Sequence, residues 1–173
     1  MSRLDRASRR HPRRLVRATP RLTAQVESFY AIRHELPPLF EQHWRELALD
    51  HDAIPLAPDW DRYLGMTATG NLHITTARFG DKLVGYIFNF VGPHMHYATT
   101  LHAEMEMFWL DPAYRGGWFA IRLFRTNERH LRKLGVKKIM AATKTHYLAG
   151  RVGSILLKRL GFKPFETNWS KVI

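Results

Sequence analysis

The 173-residue sequence contains no cysteine, which excludes a disulfide framework, a thiolate nucleophile and any Cys-based metal site. It has no run of about 18 apolar residues, the length a helix needs to cross a bilayer; the longest stretches resemble Leu83 to Val91. Negative charge is scarce, with 15 acidic residues against 27 Lys and Arg and a formal net charge of +12. Internal repeats are absent, and the only biased segment is the Arg-rich start. What is present suffices for a core. Hydrophobic residues make up 45% of the chain and aromatics 12%, enough to offset the entropy of ordering one domain but on a length too short for two. The expectation is a soluble, cytoplasmic protein with no membrane partner.

The positive charge is unevenly placed. Residues 1 to 21 hold eight arginines and one aspartate, +7 of the +12, leaving +5 on residues 22 to 173. The chain therefore reads as an Arg-rich arm, 1–21, and a mildly basic domain, 22–173. The arm is suited to nucleic acid or another polyanion through phosphate contacts. With no aromatic side chain among its arginines to stack on bases, a solvated, disordered arm is the favoured expectation.

Along the domain, Gln25 to His34 is apolar and ambiguous between strand and helix. Pro37 and Pro38 then suit the first turn of a helix that carries Leu39, Phe40, Trp44 and Leu47 at helical spacing and ends near His51. A short helix is expected over Trp60 to Thr67. From Leu72 the period becomes extended: Leu72 to Phe79 and Leu83 to Val91 flank Gly80-Asp81-Lys82 as a β-hairpin, with Gly92-Pro93 breaking the second strand. Leu101 to Leu110 alternates cleanly, which puts Leu101, Ala103, Met105, Met107 and Trp109 on one face and His102, Glu104, Glu106, Phe108 and Leu110 on the other. Trp118 to Leu134 reads as a helix burying Ala120, Leu123, Phe124, Asn127, Leu131 and Leu134, stopped by Gly135. A strand over Val136 to Thr143 follows, then a helix over Leu148 to Leu160 with Leu148, Val152, Ile155 and Leu160 on one face, and a last strand over Pro164 to Val172. This order implies an α/β (α+β) fold, a mixed, mainly antiparallel sheet flanked by helices.

The run Trp109-Leu-Asp-Pro-Ala-Tyr-Arg-Gly-Gly-Trp-Phe-Ala120, with Leu157-Lys-Arg-Leu-Gly-Phe162 beyond it, resembles the GNAT superfamily of acetyltransferases. The phrase Pro93-His-Met-His-Tyr97 and the looser pattern of the chain resemble its phage-encoded branch. A strand ending in a glycine turn that opens a helix presents unpaired N–H groups and a helix dipole to an anion. The resemblance assigns acetyl-CoA to that place, its pyrophosphate at Arg115, Gly116, Gly117, Trp118, Phe119 and Ala120, and its pantetheine arm along the backbone of Phe108, Trp109 and Leu110 as an added strand would lie. Arg115 begins what resembles the family's Arg/Gln-x-x-Gly-x-Gly/Ala signature and Ala120 ends it. Its central glycine is replaced by Trp118, which would either block the backbone's approach to the pyrophosphate or turn into the core.

Acetyl transfer needs an acceptor amine that has lost its proton, so a carboxylate near the strand end has work to do. Glu104 stands eleven residues before Arg115, where the resemblance places a general base, and Glu106 is on the same expected face; one of the two is the candidate. At the family's tyrosine acid the sequence has Leu157, and near its helix asparagine Gly150, leaving His146, Tyr147 or water to protonate the thiolate. His94 and His96 lack partners for a metal site and are expected to line the acceptor cleft or cap the hairpin; no metal is expected. Trp44 or Tyr86 is a candidate to reach the acceptor. The activity implied is N-acetyl transfer from acetyl-CoA to a primary amine of a small molecule or protein. The alternative is a non-catalytic module of the same fold, a phage structural or host-interaction protein whose arm binds polyanions.

Overall fold

A computed structural model of the chain describes residues 19–144 and 148–173, and of residues 148–152 the backbone only. Nearly all of the Arg-rich arm lies outside these residues. The ambiguous segment after the arm divides in two. Leu22–Val26 forms an edge strand, β1, and Ser28 then caps a single helical turn, α1 (Phe29–Ile32), its side chain accepting from the Ala31 N–H. Pro37 and Pro38 sit in the first turn of α2 (Leu36–Leu47), where missing N–H groups cost little. Asp59 caps α3 (Trp60–Ala68) by accepting from the Arg62 N–H at 2.9 Å.

Strands β2 (Leu72–Phe79), β3 (Lys82–His94), β4 (Tyr97–Leu110) and β5 (Lys138–Ala141) complete a five-stranded sheet in the order β1-β2-β3-β4-β5. The first three pairings are antiparallel and β4–β5 is parallel, the mixed, mainly antiparallel arrangement expected. Gly92-Pro93 does not break the hairpin. The ladder runs through Pro93, paired with Leu101, to His94, and a register shift beside Pro93 absorbs its missing N–H.

Two helical layers cover the sheet. On one face α1, α2 and α3 bury Phe29, Ile32, Leu36 and Phe40 against Tyr86, Phe88 and Trp109. On the other, α4 (Phe119–Lys133) and α5 (Leu148–Arg159) cover Val84, Ile87, Met105 and Leu110 with Leu123 and Phe124. Strand β4 does not keep one alternation along its length. Phe88 pairs with Met107 and Asn89 with Met105, so Glu106 is the extra residue of a bulge. Past it the faces exchange: Trp109 and Met107 join the α1–α3 layer, whereas Met105 lies under α4.

Three other expectations are corrected. Leu134 ends α4 half exposed rather than buried. Helix α5 packs through Leu156, Leu157 and Leu160, while Ile155 is exposed. Pro164 to Val172 forms no strand; Phe165 instead lies beneath the Lys138 Nζ, 4.9 Å from its ring centre.

Candidate active site

The parallel ladder between β4 and β5 runs from His102 opposite Lys138 to Met105 opposite Ala141 and stops. The next residue of β4 is the bulged Glu106. Beyond it Phe108, Trp109 and Leu110 stay paired with β3, but on the other side β5 has given way to a loop. The two strands part, and the gap between them is continuous with a broad, open depression of about 2340 Å3 that reaches as far as Asp50 and Trp169. Its walls include Glu104 and Glu106, the backbone edge Phe108 to Leu110, Ala142 to Lys144 after β5, and Leu157 of α5. A strand edge that its neighbour has left can take an extended chain carrying amides, and Phe108 to Leu110 offer such an edge to a pantetheine arm, the Leu110 carbonyl excepted because it accepts from the Arg115 Nε–H.

At the deep end of β4 the loop Asp111 to Trp118 turns the chain into α4. A short 3-10 turn, Pro112–Tyr114, comes first, capped by Asp111. Gly116 and Gly117 then take φ values of +100° and +61°, backbone that a side chain would strain at either position and that only glycine enters readily at the first. Arg115, Gly116 and Ala120 line the cleft. Trp118 neither blocks the loop nor enters the core: it is 76% exposed and, with Phe119, borders the outer surface of α4. The glycines do the bending, and the α4 N-terminus carries no side-chain cap.

Arg115 is already engaged. Its guanidinium donates to both oxygens of Glu46 on α2, at 2.5 and 2.6 Å, and its Nε donates to the Leu110 carbonyl at 2.6 Å. Glu46 also accepts from the Trp109 indole N–H at 2.9 Å. The hydrogen bonds from Arg115 hold the Glu46 carboxyl below its usual range. Thus Arg115 locks α2 to the loop and braces the cleft wall.

At the bulge, Glu106 is open to solvent as a residue, yet burial of its carboxyl raises its pKa, and the neighbouring Glu104 raises it further. Arg62 and Lys144 oppose this rise. Tyr63 lines the same depression, its hydroxyl pushed up to about 12 by burial and by Glu106. His43 shares a 3.0 Å hydrogen bond with the Tyr86 hydroxyl through Nδ1, and burial lowers its pKa to about 4, so it is neutral at pH 7. Tyr86 itself is fully buried, whereas Trp44 reaches the cleft.

Glu104, Glu106, Phe108, Trp109, Leu110, Arg115, Gly116 and Ala120 all line this depression and Gly117 does not; Trp118 borders the outer groove of α4, as does Phe119, which also packs on the core beneath the helix; His146 and Tyr147 fall outside the described residues. Leu157 stands in the cleft wall and packs into the core, and offers no proton. His94 and His96 cap the far end of the hairpin, their rings 5.4 Å apart, beside Tyr97 and His102. Among the described residues no group of three or more His, Asp or Glu is placed to hold a metal ion, and no helix is long and apolar enough to cross a membrane. The site residues missed from sequence are His43, Glu46, Tyr63 and Lys144. His43 follows Phe40 by three residues and so sits on the buried face of α2, a polar residue on an apolar stripe that periodicity alone marks.

Solved structures share the fold. A predicted acetyltransferase from Clostridium acetobutylicum, crystallised with acetyl-CoA, is 13% identical, covers 88% of this chain and 96% of its own, and superposes with a TM-score of 0.64. An aminoglycoside acetyltransferase from an uncultured soil metagenomic sample, in complex with sisomicin, is 12% identical over 88% and 97% of the two chains, with a TM-score of 0.67. A ribosomal-protein-alanine N-acetyltransferase from Brucella melitensis biovar Abortus 2308 is 15% identical over 88% and 97%, with a TM-score of 0.61. No curated protein is significantly similar to the sequence, and none of these matches speaks for a phage-encoded branch. The model of the acetyltransferase (GNAT) family matches residues 29–162, so the chain belongs to that family.

Proposed function

We propose that this protein transfers an acetyl group from acetyl-CoA to a primary amine on a cationic acceptor, with Glu106 as the general base and Glu104 beside it. The observation that carries this reading is the position of Glu106: the bulged residue where β4 and β5 part, with a carboxyl whose pKa is raised by burial and by Glu104. A base poised above the ordinary carboxylate range is a better match to proton abstraction near neutral pH.

Acetyl-CoA bound in the cleft supplies the activated acetyl group, whose C–S bond breaks as the amide C–N bond forms. The chain's residues prepare that exchange. Phe108 to Leu110 offer the backbone edge, and Gly116 with the uncapped start of α4 offers N–H groups to phosphate oxygens. Glu104 and Glu106 attract an ammonium, and Glu106 takes its proton, directly or through one water, freeing the lone pair for attack. Tyr63, still protonated, can donate to the acceptor. Because Leu157 has no proton to give, the departing thiolate takes one from water or from the segment holding His146 and Tyr147. A coenzyme A thiol is a good enough leaving group for that.

The acidic mouth favours polyamines and aminosugars over neutral amines; an aminoglycoside is the acceptor class named for one structural neighbour. The test is acetyl-CoA-dependent turnover on a panel of aminoglycosides, polyamines and peptides, repeated with Glu106→Gln. Turnover should fall by roughly 10²-fold or more in the variant with little change in acetyl-CoA affinity. Equal loss of affinity and turnover would sink the base. The absence of an acid at Leu157 favours one other reading, a non-catalytic binding module, and calorimetry that finds no acetyl-CoA binding at millimolar ligand would establish it.

A further inference from the structure

The outer surface of α4 carries a feature that acetyl transfer does not use. Trp118, Arg122, Arg125, Arg129 and Lys133 recur every three to four residues, so they form one stripe along the helix, about 22 Å long at the α-helical rise. All five are exposed. Trp118 leaves 76% of its surface in water, with its ring open to a stacking partner. Between it, Phe119 and the first three arginines lies a shallow groove of about 600 Å3. Arg122 is held in place, donating to the Leu22 carbonyl and lying 5.0 Å over the Phe119 ring. Among the described residues no carboxylate lies within ion-pair distance of Arg125, Arg129 or Lys133, while Glu128 is occupied by Arg132 at the stripe's edge.

An ordinary solvated helix face mixes signs; on this stripe the one carboxylate at the edge, Glu128, is already paired with Arg132. A row of uncompensated guanidinium groups ending at an open indole matches a strand that offers phosphates along its length and bases to one side. Arg122 donates to the carbonyl of Leu22, the residue that follows the Arg-rich segment 1–21 in the sequence, so that segment joins the domain beside the stripe. We propose that the outer face of α4 binds single-stranded nucleic acid, with phosphates along Arg122, Arg125, Arg129 and Lys133 and a base stacked on Trp118. This proposal does not depend on the transferase reading.

The test is fluorescence anisotropy of the full chain with a labelled, mixed-sequence single strand of about 20 nucleotides, titrated across salt concentration. Replacing Arg125→Gln and Arg129→Gln together should weaken binding and flatten the log–log salt slope by about 1.4, or 0.7 per phosphate released. The Arg125→Lys, Arg129→Lys pair should restore the slope. Trp118→Ala should weaken the single strand about fivefold or more through lost stacking and leave binding of inorganic polyphosphate unchanged. Melting temperatures control for folding. No binding by the unaltered chain, unaltered affinity and slope in the Gln pair, or equal loss for oligonucleotide and polyphosphate in Trp118→Ala would each overturn the proposal.

Discussion

Glu106 holds a charge that the fold resists. Its folded pKa is raised above the ordinary 4.5, by burial and then by Glu104, so the folded state prefers the protonated carboxyl. Such a group favours folding below its unfolded pKa, and that contribution is lost as pH rises through the folded value. At neutral pH the ionised side chain therefore costs stability. Glu106→Gln removes that cost, so the variant should melt at a higher temperature than the unaltered chain at pH 7 while turning over far more slowly. A residue with a merely structural role would lower both. Glu104→Gln tests the coupling: without the adjacent negative charge Glu106 loses a proton more easily, and the acid limb of kcat/KM should move to lower pH. An acid limb that stays in place would mean that Glu106 is not the titrating base.

At the scale of elements, α4 is fixed to the sheet by a polar lock inside an apolar face. Asn127 is almost wholly buried, and its Oδ1 accepts from the Thr75 hydroxyl at 3.0 Å and from the Asn89 Nδ2 at 2.8 Å. One side chain thereby joins α4 to β2 and β3. Asn127→Leu removes both hydrogen bonds and leaves each donor only a longer contact, Asn89 Nδ2 to the His73 carbonyl at 3.3 Å and the Thr75 hydroxyl to His73 Nε2 at 3.5 Å, at about 1–3 kcal/mol for a donor left poorly satisfied, which for a chain of this size lowers Tm by several degrees. A thermal melt checks it, and an unchanged Tm would show that the lock is dispensable. Asn127 was legible from sequence as a buried position because it falls on the helical stripe with Leu123, Phe124 and Leu131; its partners were not, since nothing in Thr75 or Asn89 announces what lies across the layer. Helices α2 to α5 and the hairpin were legible in the same way, from period and turn residues. The bulge at Glu106 was not. Apolar side chains at Met107, Phe108, Trp109 and Leu110 satisfy either phase of the strand, so the pattern alone cannot show where the faces exchange. Nor could sequence tell that Trp118 faces outward, because the direction follows from the φ values of Gly116 and Gly117.

The molecule as a whole must stay folded with a large excess of positive charge, and one acidic cluster is central to how it does so. Arg78, on β2, donates to Glu27 just after β1 and to Glu35 at the start of α2, with contacts at 2.8 Å to each; Glu35 also accepts from the Leu83 N–H of β3. Burial pushes Glu27 up, but hydrogen bonds from Arg78, Thr76 and Gln25 outweigh it and leave its pKa lowered. The hydrogen bond from Arg78 comes first in lowering Glu35. Both folded values lie below the ordinary 4.5, so their contribution is fully present above it and is lost as pH falls through the folded values. Over the same range each carboxylate that protonates adds to the self-repulsion of a chain already at +12. Stability should therefore decline steeply below about pH 4.5. Arg78→Met reverses the sign at this cluster. It leaves two partly buried carboxylates with only neutral hydrogen-bond donors, the Thr76 hydroxyl on Glu27 and the Leu83 N–H on Glu35 among them, at a cost on the order of 3 kcal/mol at neutral pH, and raises their pKa values, so that mild acid now relieves repulsion. Denaturant melts from about pH 7 to about pH 4 should show the gap between variant and unaltered chain narrowing as pH falls. A gap that stays constant would mean that the ion pairs are neutral to folding and that Arg78 acts through the packing of its stem.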